Sequence, residues 1–223
     1  MNKQLFTQAI AKFAAGVLLV GLLIFWPAGT LHYPHGWLFM ALLFGPMFPA
    51  GLFMMKKSPD LLRSRLKAKE TQGEQKTVIA LSGLMFMAGF LLCGFNHRFG
   101  WHTLPRPVVI GASVIFLLAY VLYAEVLREN MWLSRTIEVQ ENQTVVDTGL
   151  YGIVRHPMYA VTLLLFLSMP LVLGSIYAFV VFLAYPFIII KRLLAEEAFL
   201  EEHLPGYRAY QQKVRWHLLP FIW

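Results

Sequence analysis

One cysteine in 223 residues leaves no pair of thiols for a disulfide framework and no thiolate set for a zinc site. Cys93 lies in an apolar run, where it reads as a small hydrophobe, buried or facing lipid. Charge is equally scarce, with 14% of residues charged against 58% hydrophobic and a positive mean hydropathy. That balance excludes an ordinary soluble domain and marks a polytopic membrane protein. The polar stretches 56–76, 128–157 and the tail from Lys191 are each too short for a core of their own, so any site must be built from loops and helix ends. A net charge of +7 would suit nucleic acid, but the basic residues sit between apolar spans, where topology accounts for them and no nucleic-acid partner is expected. The strings GxGxxG, GxxxxGKS, GxSxG and HExxH are all missing, which removes the common phosphate cradles, the hydrolase elbow and the zincin helix. His32 with His35, and His97 with His102, have no carboxylate or thiolate nearby, and no metal site is expected.

The most informative absence is local. From Met158 to Ile190 run 33 residues without a charge, fenced by Arg155, His156 and Pro157 on one side and by Lys191, Arg192, Glu196 and Glu197 on the other. One helix of that length would span roughly 50 Å at ~1.5 Å per residue, far beyond a hydrocarbon core of roughly 30 Å. The block must fold back, and Gly174-Ser175, with Pro170 just upstream, is the expected reversal. Both fences then meet on one membrane face, where charge is expensive and seldom kept without use.

Further apolar runs at 13–26, 37–55, 77–95 and 108–127 complete an all-α, polytopic helical bundle of five to six spans. The two hairpin arms, about 16 residues each, fall short of the ~20 usual for a full crossing. The first run is read as a retained helix, since no small-residue cleavage site follows it. The chain divides into transmembrane helices at 1–127 and a functional part at 128–223 comprising a loop, the hairpin and a C-terminal helix. Lys56, Lys57, Arg63, Arg65, Lys67, Lys69 and Lys76 crowd one loop, whereas 28–36 has no Lys or Arg. The positive-inside rule then puts that loop, both termini and the fence in the cytoplasm, with 96–107 outside. The compact chain, without an endoplasmic-reticulum signal, points to a prokaryotic inner membrane. Trp26, Trp37, Trp101, Trp132, Trp216 and Trp223 are expected mostly as interfacial anchors. Nothing in the sequence sets an oligomeric state.

Pro157 suits a first helical turn, whose amides form a partial positive end able to hold an anion. Tyr151, Arg155, His156 and Tyr159 cluster there; anchoring accounts for an arginine but has no need of a histidine. Arg192 and Glu196, four apart, share a helical face. They read plainly as an internal ion pair, and equally as a site for a zwitterion, the carboxylate receiving an ammonium and the guanidinium a carboxylate. Glu125 and Glu129 read as helix-end charges, Glu201 and Glu202 as a solvated face, and Tyr207 and Tyr210 as residues packed on the headgroup layer.

Gly149-x-Tyr151 followed by Arg155-His156-Pro157-x-Tyr159, a short hydrophobic hairpin, Arg192 with Glu196-Glu197, and the spaced Tyr207 and Tyr210 resemble the isoprenylcysteine carboxyl methyltransferases and related phospholipid methyltransferases. The resemblance covers residues 133–220, about two-fifths of the chain. It implies an integral-membrane methyltransferase using S-adenosyl-L-methionine, most directly for carboxyl O-methylation of an isoprenylcysteine-like, prenylated or other lipophilic substrate met among membrane lipids. It implies cofactor contacts at Thr136, Gln143, Thr144, Val145, Val146, Tyr151, His156, Pro157, Met158, Tyr159 and Glu196. Chemical roles fall to Arg192, placed near the methyl-accepting carboxylate, and to Arg155 and Glu197. A carboxylate acceptor needs no general base, while an amine or thiol would call on His156 or Glu197. The loop 203–206 is a residue shorter than in the prenylcysteine enzymes, which leaves the assignment of roles between Glu196 and Glu197 open. Phospholipid N-methylation, thiol S-methylation, a transporter gated by the fence, and a lipid-binding scaffold are the alternatives. The lack of charge inside the spans counts against transport.

Overall fold

The computed structural model describes residues 3–66, 73–134 and 136–223, which are largely helical and contain no strand. Lys67 and Lys69 of the basic loop lie outside the described residues. The helices are α1 (Lys3–Ala28), α2 (Pro34–Lys57), α3 (Pro59–Leu66), α4 (Gly73–Arg98), α5 (Arg106–Glu129), α6 (Pro157–Val172), α7 (Ile176–Phe182), α8 (Tyr185–His203) and α9 (Tyr207–Lys213), with a 3-10 turn at Gly149–Gly152. Proline opens several of them: Pro34, Pro107, Pro157 and Pro186 occupy the first two positions of α2, α5, α6 and α8, where a missing N–H costs nothing.

Five helical stretches are long and apolar enough to cross a membrane: α1, α2, α4, α5, and α7 with α8 taken together. The chain is therefore an integral membrane helical bundle. α6, with 16 residues, is shorter. The first hairpin arm thus has its expected length, but the second does not stop at the charges. Helix α8 carries on through Lys191, Arg192, Glu196 and Glu197 to His203, because nothing between 187 and 203 breaks a helix.

The reversal falls at the expected place. Gly174 adopts φ +76°, a left-handed conformation open to glycine, and the Ser175 hydroxyl accepts from the Ala178 amide (3.3 Å) to cap α7. The Leu104 amide donates to the Gly174 carbonyl (3.1 Å), so the loop before α5 pins the turn. Tyr33 donates to the Leu173 carbonyl (2.6 Å) and stacks on His97, whose ring nitrogen meets the His32 carbonyl (3.0 Å). This end of the bundle is thereby closed, and Trp26, Trp37 and Trp101 are exposed around it.

The core is apolar and aromatic, with Phe39, Phe86, Phe90, Phe116 and Phe182 in mutual ring contact and Cys93 fully buried beside them. α1 and α4 approach so closely that a Cβ on Gly94 would meet Pro27 at 2.4 Å and the Ile24 carbonyl at 2.6 Å, the small-residue contact membrane helices favour. At the opposite end from the Gly174 turn, Leu5, Met55 and Leu62 pack together and the Ser64 hydroxyl donates to the Leu133 carbonyl (3.1 Å). The basic loop and the 128–157 segment therefore share one end, as expected.

Candidate active site

The segment between α5 and α6 has little regular structure, and side chains hold its shape. The Gln143 amide donates to the Gln140 carbonyl (3.1 Å) and the Gln143 side chain accepts from the Gln140 amide (2.9 Å), around a tight turn at Asn142 (φ +59°). The Gln140 side chain in turn donates to the Trp132 carbonyl (2.7 Å). That fold-back sets Thr144, Val145 and Val146 in one cleft with Ser134, Thr136 and Glu138. Glu129, at the end of α5, is more than a helix-end charge. Its carboxylate accepts the Leu150 amide (2.8 Å) and fills the space beside Gly149, where a Cβ would lie 1.6 Å from its oxygen. Gly149 has φ +52°, so glycine is demanded twice, and the turn it starts carries Tyr151.

The fences meet as the topology requires. Along α8, Tyr185, Ile189, Leu193 and Glu197 recur every fourth residue and are all buried, so Glu197 continues the inward stripe. Arg192 and Glu196 occupy the neighbouring, half-buried face. This spacing divides two adjacent glutamates between two environments.

Glu197 is the centre of a buried ion cluster. Arg155 holds it in bidentate fashion, Nε to Oε1 at 2.6 Å and Nη2 to Oε2 at 3.2 Å, and His156 Nε2 donates to Oε1 at 2.9 Å. Arg155 Nη1 donates to the carbonyls of Val214 and Arg215 (both 2.9 Å), and Nη2 reaches His217 Nε2 at 2.5 Å. All five guanidinium N–H groups are thus engaged within the protein. The same His217 ring nitrogen lies 3.2 Å from Glu197 Oε2, so His217 faces both the guanidinium and the carboxylate. Burial lowers its pKa, with Arg155 and His156 adding to the effect and Glu197 opposing it. The tail is tied in through the backbone as well, the Arg155 and His156 amides donating to the Trp216 and His217 carbonyls (2.8 and 2.9 Å). Trp223 stacks on His217.

Glu196 faces the other way. The hydroxyl of Tyr159, in the first turn of α6, donates to it and accepts from Arg192 Nε (3.1 Å). The expected ion pair is therefore bridged by a phenol from the opposite hairpin arm. The amides of Tyr159 and Ala160 both turn back to the His156 carbonyl (3.1 Å each), so these two do not serve as an anion site.

Tyr207 and Tyr210 are buried, not laid on a headgroup layer. They form a small core with Leu204 and Val214, packed by Val139, Val145 and Leu200. The Tyr210 hydroxyl donates to the Tyr151 carbonyl (2.7 Å), and burial raises the pKa of Tyr151, Tyr207 and Tyr210, keeping all three phenols protonated. Lys213 pairs with Asp147 (2.6 Å), tying α9 to the loop.

These elements enclose an open cleft of about 820 Å³ counted out to its mouth. Of the residues expected to contact a cofactor, Thr136, Gln143, Thr144, Val145, Val146, Tyr151, His156, Met158, Tyr159 and Glu196 line it, as do Arg155 and Arg192. Pro157 and Glu197 stand behind the wall. Trp132 lines the cleft instead of anchoring in an interface, and Asn130, Glu138, Leu200, Tyr207 and Tyr210 join it without having been expected there. The sign that places Tyr207 and Tyr210 is their pairing three apart with Leu204 and Val214 on one face.

The cleft offers both signs of charge, aromatic walls and an unpartnered donor. It holds carboxylates and a guanidinium together, walls of Trp132, Tyr151, Tyr159 and Tyr207, and a buried Tyr207 hydroxyl that has no hydrogen-bond partner among the described residues. A buried phenol without a partner is costly. An amino acid, a sulfonium and an adenine match this set of charges, donors and rings.

The profile of a family described as phospholipid methyltransferase matches residues 107–206, from the start of α5 to the loop after α8. The matched region includes every residue expected at the site. Curated proteins provide no match to the chain. The family match and the five apolar helical stretches together support a membrane methyltransferase.

Proposed function

We propose that the protein is an S-adenosyl-L-methionine-dependent methyltransferase that O-methylates the carboxylate of a lipophilic acceptor, of isoprenylcysteine-like or similar type. The observation that carries this reading is the Glu196–Tyr159–Arg192 bridge in a cleft with aromatic walls. Bound there, S-adenosyl-L-methionine supplies an activated methyl group. Glu196 receives its ammonium, the main chain of 143–146 and the rings of Tyr151 and Trp132 frame the rest, and the Tyr207 hydroxyl gains its missing partner. Arg192, fixed by Tyr159, holds the acceptor carboxylate, so that the remaining demand is alignment of oxygen, methyl and sulfur. The cofactor would supply the methyl for a new O–C bond as its S–C bond breaks, leaving no proton for a residue of the cleft to remove.

The carboxylate is favoured over a protonated amine because it needs no proton removed, and His156, the imidazole that lines the cleft, is committed to Glu197 (2.9 Å). Arg155 and Glu197, for which chemical roles were expected, act in this reading as positioning residues. Phospholipid N-methylation is the second reading, favoured by the description of the matching family. Residues 128–223 carry the cofactor part, and 1–127 the membrane part. The cleft shares its end with Lys56, Lys57 and Arg63, which by the positive-inside rule orients it and both termini to the cytoplasm.

Incubation with methyl-labelled cofactor and a whole-lipid extract tests the proposal. Label that alkali releases as methanol supports a methyl ester, and alkali-stable label on a phospholipid amine replaces it with the second reading. Calorimetry with the cofactor tests the class, and folded protein that does not bind it overturns the methyltransferase.

A further inference from the structure

Arg65 belongs by sequence to the basic loop and serves there to set topology. Its surroundings show more. In α3, Leu61, Leu62 and Ser64 are buried and Arg63 is exposed beside Asp60 (3.0 Å), whereas Arg65 is half-buried and turned inward. Its Nη1 lies 3.3 Å from the Ser134 carbonyl and 3.7 Å from the Met158 sulfur, and its Nη2 reaches the Tyr123 hydroxyl. None of these described partners is anionic. A half-buried guanidinium whose described partners are all neutral, the Tyr123 ring 5.7 Å from its Cζ among them, is open to an anion.

Arg65 also stands between two spaces. Ser134 and Met158 line the cofactor cleft. Arg65 and Tyr123 themselves line a second, apolar groove among α1, α2, α3 and α5, about 1700 Å³ counted out to its open side. Phe13, Met47, Phe48 and Leu52 give it walls suited to hydrocarbon, and its two charged lining residues, Lys12 and Arg65, are both cationic. Lys12 bonds the Leu66 carbonyl, at the end of the same short helix. An apolar trough with cations at one end is complementary to a lipid chain with an anionic head. α1, α2 and α3 lie outside the residues matched by the family profile, so this groove is largely separate from the cofactor part.

We propose that the groove holds the hydrocarbon chain of a lipid carboxylic acid and that Arg65 receives its carboxylate at the threshold of the cleft, making α3 the element that selects the acceptor. The proposal deepens the methyltransferase reading and rests on it for the fate of that carboxylate. Arg65 selects and delivers, and Arg192 holds the group that reacts.

The test compares photolabelling by diazirine-bearing palmitic acid and by the matching uncharged hexadecanol, with full-length protein in phosphatidylcholine nanodiscs and labelled peptides located by mass spectrometry. The acid is expected to label groove residues of α2 and α5 at concentrations at least tenfold below the alcohol. Arg65→Gln, if it elutes as folded protein, is expected to bring the two probes to parity, and Arg65→Lys to keep most of the preference. Equal labelling by both probes in the unsubstituted protein, an unchanged preference in Arg65→Gln, or labels confined to other helices would each overturn the proposal. Calorimetry with the cofactor separates the two levels. Acid preference without cofactor binding defeats the methyltransferase reading and leaves the lipid site standing, while cofactor binding without acid preference does the reverse.

Discussion

Glu196 and Glu197 are consecutive, carry the same charge and leave the same helix turn, yet one faces an open cleft and the other a buried cluster. Glu197 is surrounded by Arg155, His156 and His217, with every Arg155 donor committed and two backbone links to the tail behind it. Glu196 meets a buried phenol and, through it, a half-buried guanidinium, and all three line the open cleft. The difference teaches that a fully satisfied charge cluster is a fastening, whereas charges arranged around a space are available to a ligand. One α-helical step of about 100° separates the two roles.

The comparison breaks most severely at Glu197. Glu197→Ala strands a buried arginine and is expected to cost about 3–5 kcal/mol, read as a large drop in melting temperature or failure to purify as a monodisperse protein. A stability change under about 1 kcal/mol would show that the cluster is not the fastening described. Gly149→Ala comes next. The left-handed conformation alone costs roughly 1–2 kcal/mol, and displacement of Glu129 from the turn adds to it, so both melting temperature and cofactor affinity should fall together. Glu196→Ala should separate those readouts: near-native melting with cofactor affinity reduced about tenfold or more, the loss expected for a charged hydrogen bond worth roughly 1.5–3 kcal/mol. Equal damage to stability in the Ala variants of Glu196 and Glu197 would erase the contrast. Tyr207→Phe is milder. It removes a hydroxyl with no described partner, so stability should hold or rise slightly while cofactor affinity falls severalfold, on the order of 1 kcal/mol.

The smallest effect is a pH slope. Because His217 is held below its ordinary value of 6.5, the unfolded chain binds a proton there more readily than the folded one. Its contribution to stability is therefore complete above pH 6.5 and is lost as pH falls from there through the lowered folded value. Melting temperatures measured across that window should decline toward acid, and more shallowly in His217→Gln. An identical slope in both proteins would remove His217 from the cluster's charge balance.

Much of this is legible in the sequence. The charge-free block from 158 to 190 exceeds one membrane crossing, so the reversal and the meeting of its fences followed from length alone. Counting fours from Tyr185 through Ile189 and Leu193 to Glu197 would also have told the two glutamates apart, since a helix extended past the charges keeps its inward stripe. Other features had no such signal. His217 and the carbonyls of Val214 and Arg215 lie about sixty residues from Arg155, and nothing local announces that the tail returns to cap it. Glu129 reads in the sequence as any helix-end charge, because nothing local shows that Gly149 leaves it room.

What the sequence determined by itself is therefore the membrane bundle, the hairpin and the end of the molecule where charge collects, because those depend on composition, periodicity and the thickness of a bilayer. Which of those charges fasten and which face a space was decided only by tertiary structure. That choice depends on through-space partners far apart in the chain: Arg155 with Glu197, Tyr159 between Arg192 and Glu196, and Arg65 between a groove and a cleft.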